Sequence, residues 1–158
     1  MKNRRIVVVA LMLVAVLCVG VGYAATNDII DFTGKITHET SLQLVWDNFQ
    51  DAAGVTTAHS GEGTDAFTVS INTSEWSTNV PKTFTVDVEN PTNFPVTSVT
   101  VSTPSGVPAN YTITAVSEDT TIPVGGSTTV TITITMNSYP DSNLTDEPFT
   151  FTVTGETA

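Results

Sequence analysis

Residues 129–136 read TVTITITM. Val130, Ile132, Ile134 and Met136 fall on one side of an extended chain and threonine on the other, the period-two pattern of a strand with one face in a core and one at the surface. The alternation recurs at Thr83 to Val88, where Phe84, Val86 and Val88 share a face, and at Thr150 to Thr154, flanked by Phe149, Phe151 and Val153. Weaker versions are predicted at Phe67 to Ile71, Val96 to Val101 and Tyr111 to Val116.

Turn chemistry separates these runs: Asn90-Pro91-Thr92-Asn93, Pro104-Ser105-Gly106, Val124-Gly125-Gly126-Ser127 and Tyr139-Pro140-Asp141. Strands and turns at this spacing predict an all-β chain, an immunoglobulin-like or jelly-roll-like β-sandwich of about seven or eight strands. The cysteine pair and the central strand tryptophan of antibody domains have no counterpart, and Trp46 and Trp76 read as core or rim aromatics.

The stretch from Thr40 to Gly54 reads two ways. Leu42, Val45, Trp46, Phe49 and Ala53 match a helix, with Thr40 and Gln43 as a capping box and Gly54 as its stop. Leu42, Leu44 and Trp46 also alternate as a strand, and a strand ending near Trp46, followed by a turn or short helix, is the expectation. Residues Ala52 to Asp65, with Gly54, Gly61 and Gly63, are expected to form an exposed loop.

Ahead of all this stand Lys2, Arg4 and Arg5, an apolar run from Ile6 to Val21, and the small-residue exit Gly22-Tyr23-Ala24. A basic start, a short apolar stretch and small residues at alternate positions make a secretory signal, with cleavage expected between Ala24 and Ala25. The alternative is an anchor, since Ile6 to Ala25 is just long enough for a bilayer of roughly 30 Å. Cys18 follows Leu17, where a lipobox needs a small residue. Export would place the protein outside the cell with no cysteine, so stability must come from packing and strand pairing.

Taking residues 1–24 from the 158 leaves 134, enough for one domain with one core. That part keeps only Lys35 and Lys82 against all sixteen Asp and Glu, a net charge of −14. Such a surface repels nucleic acid and anionic membranes, and contact with a membrane is expected only through an uncleaved signal segment.

Catalytic groups are scarce. His38 and His59 are the only histidines, and His38-Glu39 is followed by Leu42 where a zinc-protease helix would carry its second histidine. No catalytic residue, no cofactor and no enzymatic activity are expected. Asp141, Asn143, Asp146 and Glu147 offer oxygen ligands to calcium, but the glycine and spacing of a dedicated calcium loop are missing, and a solvated hairpin is the simpler reading. Asn72, Asn110 and Asn143 each begin a glycosylation sequon.

Four segments together resemble the TasA/camelysin group of exported fibre-forming proteins and the related archaeal bundling pili. They are the signal junction running into a strand, GYAATNDIIDFTGKI; a Trp before a strand that closes on Asn, SEWSTNVPKTFTVDVENPTNFPVTSV; a Pro and Gly turn opening a Thr-rich strand, IPVGGSTTVTITITMN; and a terminal Phe-containing strand, EPFTFTVTGETA. Where these families usually carry Pro-Gly-Asp or Pro-Gly-Glu turns, this chain has Asn79-Val80-Pro81-Lys82 and Pro123-Val124-Gly125-Gly126.

The resemblance implies an extracellular filament, pilus or biofilm-matrix subunit of bacterial or archaeal origin. Its partners would be copies of itself, joined head to tail, with minor fibre proteins as further partners. Polymerisation in that group is by donor-strand exchange, which places residues 25–36 as the donor strand and 37–158 as the sandwich. Ile30, Phe32 and Ile36 would share one face, Gly34 would allow a close approach, and Ile29 would sit opposite. The competing readings are that Ile29 to Ile36 is the first strand of its own sandwich, and that the protein is a monomeric immunoglobulin-like module presenting its loops to carbohydrate or a protein ligand.

Overall fold

The computed structural model describes residues 29–38, 42–74, 76–139 and 147–157. Nine strands and no helix are found among them: β1 Ile29–His38, β2 Val45–Gln50, β3 Thr57–Ser60, β4 Ala66–Asn72, β5 Lys82–Glu89, β6 Ser98–Val101, β7 Tyr111–Ser117, β8 Ser127–Met136 and β9 Glu147–Glu156. They form a β-sandwich of two sheets, ordered β3-β4-β1-β9-β6 and β2-β5-β8-β7. The signal, its cleavage point at Ala24 and Ala25, and the loop residues Asp141, Asn143 and Asp146 lie outside the described residues, as does the Glu147 side chain.

Period-two alternation is realised where the sequence is clearest. In β8 Val130, Ile132, Ile134 and Met136 are buried, and in β5 so are Phe84, Val86 and Val88. These faces meet Phe67, Val69 and Ile71 of β4, and Phe149, Phe151 and Val153 of β9, in one core. Threonine fills much of the outer faces, where β-branching suits the pleated backbone and the hydroxyl stays wet. Both tryptophans are buried.

Four expectations need correction. The sandwich has nine strands, because Ala52 to Asp65 is not all loop: Thr57–Ser60 forms β3 on the outer side of β4, with Thr57 opposite Ile71 and Ser60 opposite Thr68. Its four residues bury almost nothing, so they carry no hydrophobic signal. The strand expected to end near Trp46 continues to Gln50 as β2, with no short helix. Its register against β5 shifts between Asp47 and Gln50, and Asn48 has φ 51°. This bulge brings Trp46 and Phe49 to the same face three residues apart, which imitates helical spacing.

The third correction concerns Val96, which makes a single bridge to Ile122 rather than starting a strand; β6 begins at Ser98. The fourth is at the boundary drawn after Ile36. β1 runs on through Thr37, opposite Thr154, and His38, opposite Gly155.

Candidate assembly strand

β1 lies in the middle of its sheet. It pairs antiparallel with β4, Phe32 opposite Val69, and parallel with β9, Phe32 opposite Phe149. A parallel neighbour needs a crossover connection, and here β2 to β8 lie between the two, β9 being the last described strand. Without β1, the β3-β4 and β9-β6 pairs would share no strand and both would expose unpaired backbone.

The inward side chains of β1 are Ile30, Phe32 and Ile36, all buried, and burying each contributes roughly 1.5–3 kcal/mol. Phe32 is ringed by Phe149 at 5.3 Å, Phe151 at 6.1 Å, and Phe49 and Phe67 at 6.4 Å between ring centroids. Gly34 falls on the same face, beneath the Trp46 indole. The side chain of Ile29 is not among those described. On the outward face, Thr37 Oγ1 lies 3.0 Å from Thr154 Oγ1 of β9.

Ahead of β2, on the other sheet, Leu42 and Leu44 are buried. Gly155 of β9 makes room for Leu44: a Cβ there would stand 2.5 Å from Leu44 Cδ1. At the same end of the sandwich the buried Asn90 side chain joins two loops, donating to Phe94 O at 2.8 Å and Pro123 O at 3.2 Å.

The remaining candidates among the described residues lie apart from one another. His59 is packed against Phe49, ring centroids 5.0 Å apart, and its Nε2 is 3.8 Å from Glu62 Oε1. His38 ends β1 at the distal side of the same sheet, and its side chain is not described. No group of three His, Cys, Asp or Glu able to hold a metal ion is found among the described residues. Asn72 is exposed at the end of β4, where its Oδ1 accepts the Ser74 N–H at 3.0 Å, and Asn110 is half-buried just before β7.

Two features escaped the sequence reading. A polar hollow of about 330 Å³ lies at the end where β1 begins, lined by Thr56, Asn72, Ser74, Trp76 and Lys82 among others. The second is a carboxylate cluster on the outer face of β2 and β5, where Asp47 stands opposite Asp87 and Val45 opposite Glu89. Asp87 is well supplied with donors, from Asn48 Nδ2 at 2.8 Å and Thr129 Oγ1 at 2.7 Å. Partial desolvation, then the neighbouring Asp47 and Asp87, push the Glu89 carboxyl above the usual range. Comparison of the chain with protein-family models, with curated proteins and with solved structures finds no match.

Proposed function

We propose that the protein is an exported structural subunit of an extracellular filament, with β1 as its assembly strand. The supporting observation is the place of β1: the first described strand is the central one of its sheet, and it follows directly on the apolar N-terminal segment. In a filament, β1 of one copy fills the slot between β4 and β9 of the next. The same backbone ladder and the same buried Ile30, Phe32 and Ile36 serve in either setting, so exchange conserves the contacts while linking the chains.

The test uses the Thr37 to Thr154 contact. In a Cys18→Ser background, Thr37→Cys with Thr154→Cys places two thiols on neighbouring strands within disulfide reach. Oxidation of exported material should give a ladder of covalent multimers on a non-reducing gel. A product that remains monomeric with its internal bridge formed would overturn strand exchange. Deleting Ala25 to Ile36 should leave non-polymerising subunits.

The polar hollow favours a second reading, a module that binds carbohydrate between Trp76, Asn72 and Lys82. Glycan binding by monomeric protein, lost on Lys82→Ala, would select it.

A further inference from the structure

Among the described residues, four strands have an outer side with no strand neighbour: β3, β6, β2 and β7. Three of these edges are blunted. β3 has only four residues. Residues 120–122 run along β6 and its approach, with Val96 N–H donating to Ile122 O and Val99 N–H to Thr120 O, both at 2.8 Å. β2 is bulged, bears Asp47, and is capped by the Glu62 to Thr64 turn: Trp46 N–H donates to Thr64 O, and Gly63 N–H to Trp46 O. Short strands, bulges, charges and covering loops all prevent edge-to-edge pairing.

Among the described residues, β7 has none of these devices. Residues 111–117 read YTITAVS, with no charge, proline or glycine, and its seven-residue pairing with β8 is regular. Thr112, Thr114 and Val116 are exposed on its outer face, Val116 to 62%. Asn137 N–H donates to Asn110 O and Glu118 N–H to Thr129 O, in the same register that sets Thr112 opposite Thr135. Even-numbered residues therefore bond to β8, and the alternation of an antiparallel ladder turns the N–H and C=O of Ile113 and Ala115 to the free edge. None of the loop and turn hydrogen bonds among the described residues engages them.

We propose that β7 is a homotypic docking edge, on which a second copy of this chain pairs antiparallel, β7 to β7, about a two-fold axis at Thr114. The outward groups require odd-numbered residues to face odd-numbered ones; in the register proposed Ile113 faces Ala115 of the second copy, each exchanging both backbone hydrogen bonds, and Thr114 faces Thr114. A large inward side chain then meets a small one, and Thr112 meets Val116 on the outer face. The nearest carboxylates, Glu118 and Asp119, fall opposite Asn110 and Ala109 of the second copy, so no like charges meet. On a chain this acidic, an uncharged self-complementary strand is where two copies approach at least electrostatic cost. The contact is isologous and closes as a pair. It is independent of β1, and between filaments it would join them side by side.

Disulfide trapping tests the register in full-length exported protein carrying Cys18→Ser. Thr114→Cys should convert to a covalent dimer under mild oxidation, whereas Thr112→Cys, whose two copies are kept apart by this register, should not. Adding Ala115→Pro removes an outward N–H without touching the β8 ladder and should abolish trapping. Thr114→Lys and Thr114→Glu should each sediment as unpaired protein, and their mixture should restore the pair, a check that does not depend on proline being tolerated. Equal trapping at both cysteine positions, no trapping at Thr114→Cys, or pairing by the lysine variant alone would overturn the proposal.

Discussion

The indole of Trp46 lies over the bare α-carbon of Gly34: a Cβ on Gly34 would stand 2.9 Å from Trp46 Cζ2 and 3.3 Å from Phe151 Cζ. The glycine of β1 is thus a packing device, letting a large aromatic of the opposite sheet reach the centre of the strand. Gly34→Val is expected to destabilise the domain by about 1–3 kcal/mol, as overpacking does. Urea unfolding would measure it, and an unchanged midpoint would show that the indole moves aside freely.

Phe32 touches four aromatic rings at once. Truncation by Phe32→Ala should cost about 3–5 kcal/mol. If β1 is exchanged between subunits, the same change should also lower the temperature at which filaments dissociate, read by light scattering on heating.

Asn90 is fully buried, and its amide holds the carbonyls of Phe94 and Pro123 while its Oδ1 accepts from the Thr92 hydroxyl at 2.6 Å. Asn90→Asp preserves the shape but removes both donations and sets a carboxylate against the carbonyl oxygens of Phe94 and Pro123, at a cost of roughly 1–3 kcal/mol. Limited proteolysis should then cut first in the loops around Phe94 and Pro123.

Glu89 binds its proton more tightly folded than unfolded, because partial burial and the carboxylates of Asp47 and Asp87 penalise its charge. The folded state therefore gains relative to the unfolded one as pH falls through the raised pKa, and the charged form costs stability at neutral pH. Glu89→Gln should raise Tm slightly at pH 7, within the ~0.5 kcal/mol range of surface substitutions, and the difference should vanish below the ordinary carboxylate range. A gain that persisted in acid would mean that charge is not its cause.

Much of the fold is legible along the chain. Alternation of Val130, Ile132, Ile134 and Met136 is a local consequence of the pleat, so any half-buried strand of that length announces itself. β3 does not, because an edge strand of four mostly exposed residues has no apolar face to alternate. The β2 bulge was misleading for the opposite reason: Trp46 and Phe49 are both in the core, and a shifted register spaces them as a helix would.

β1 divides the same way. Its apolar face, Ile30, Phe32 and Ile36, and its gap at Gly34 can be read from residues 29–38 alone. That β1 lies between β4 and β9, the last described strand, cannot, because pairings across the whole chain are decided by how two faces close on one core. The outer edge of β7 is hidden similarly: YTITAVS reads like any other strand, and only the sheet order, with turns covering β2 and β6, leaves it as the long edge uncovered among the described residues. Composition and periodicity determined the all-β class and the threonine faces. Tertiary structure alone decided which strand is central and which edge stays open, since those depend on contacts between residues far apart in sequence.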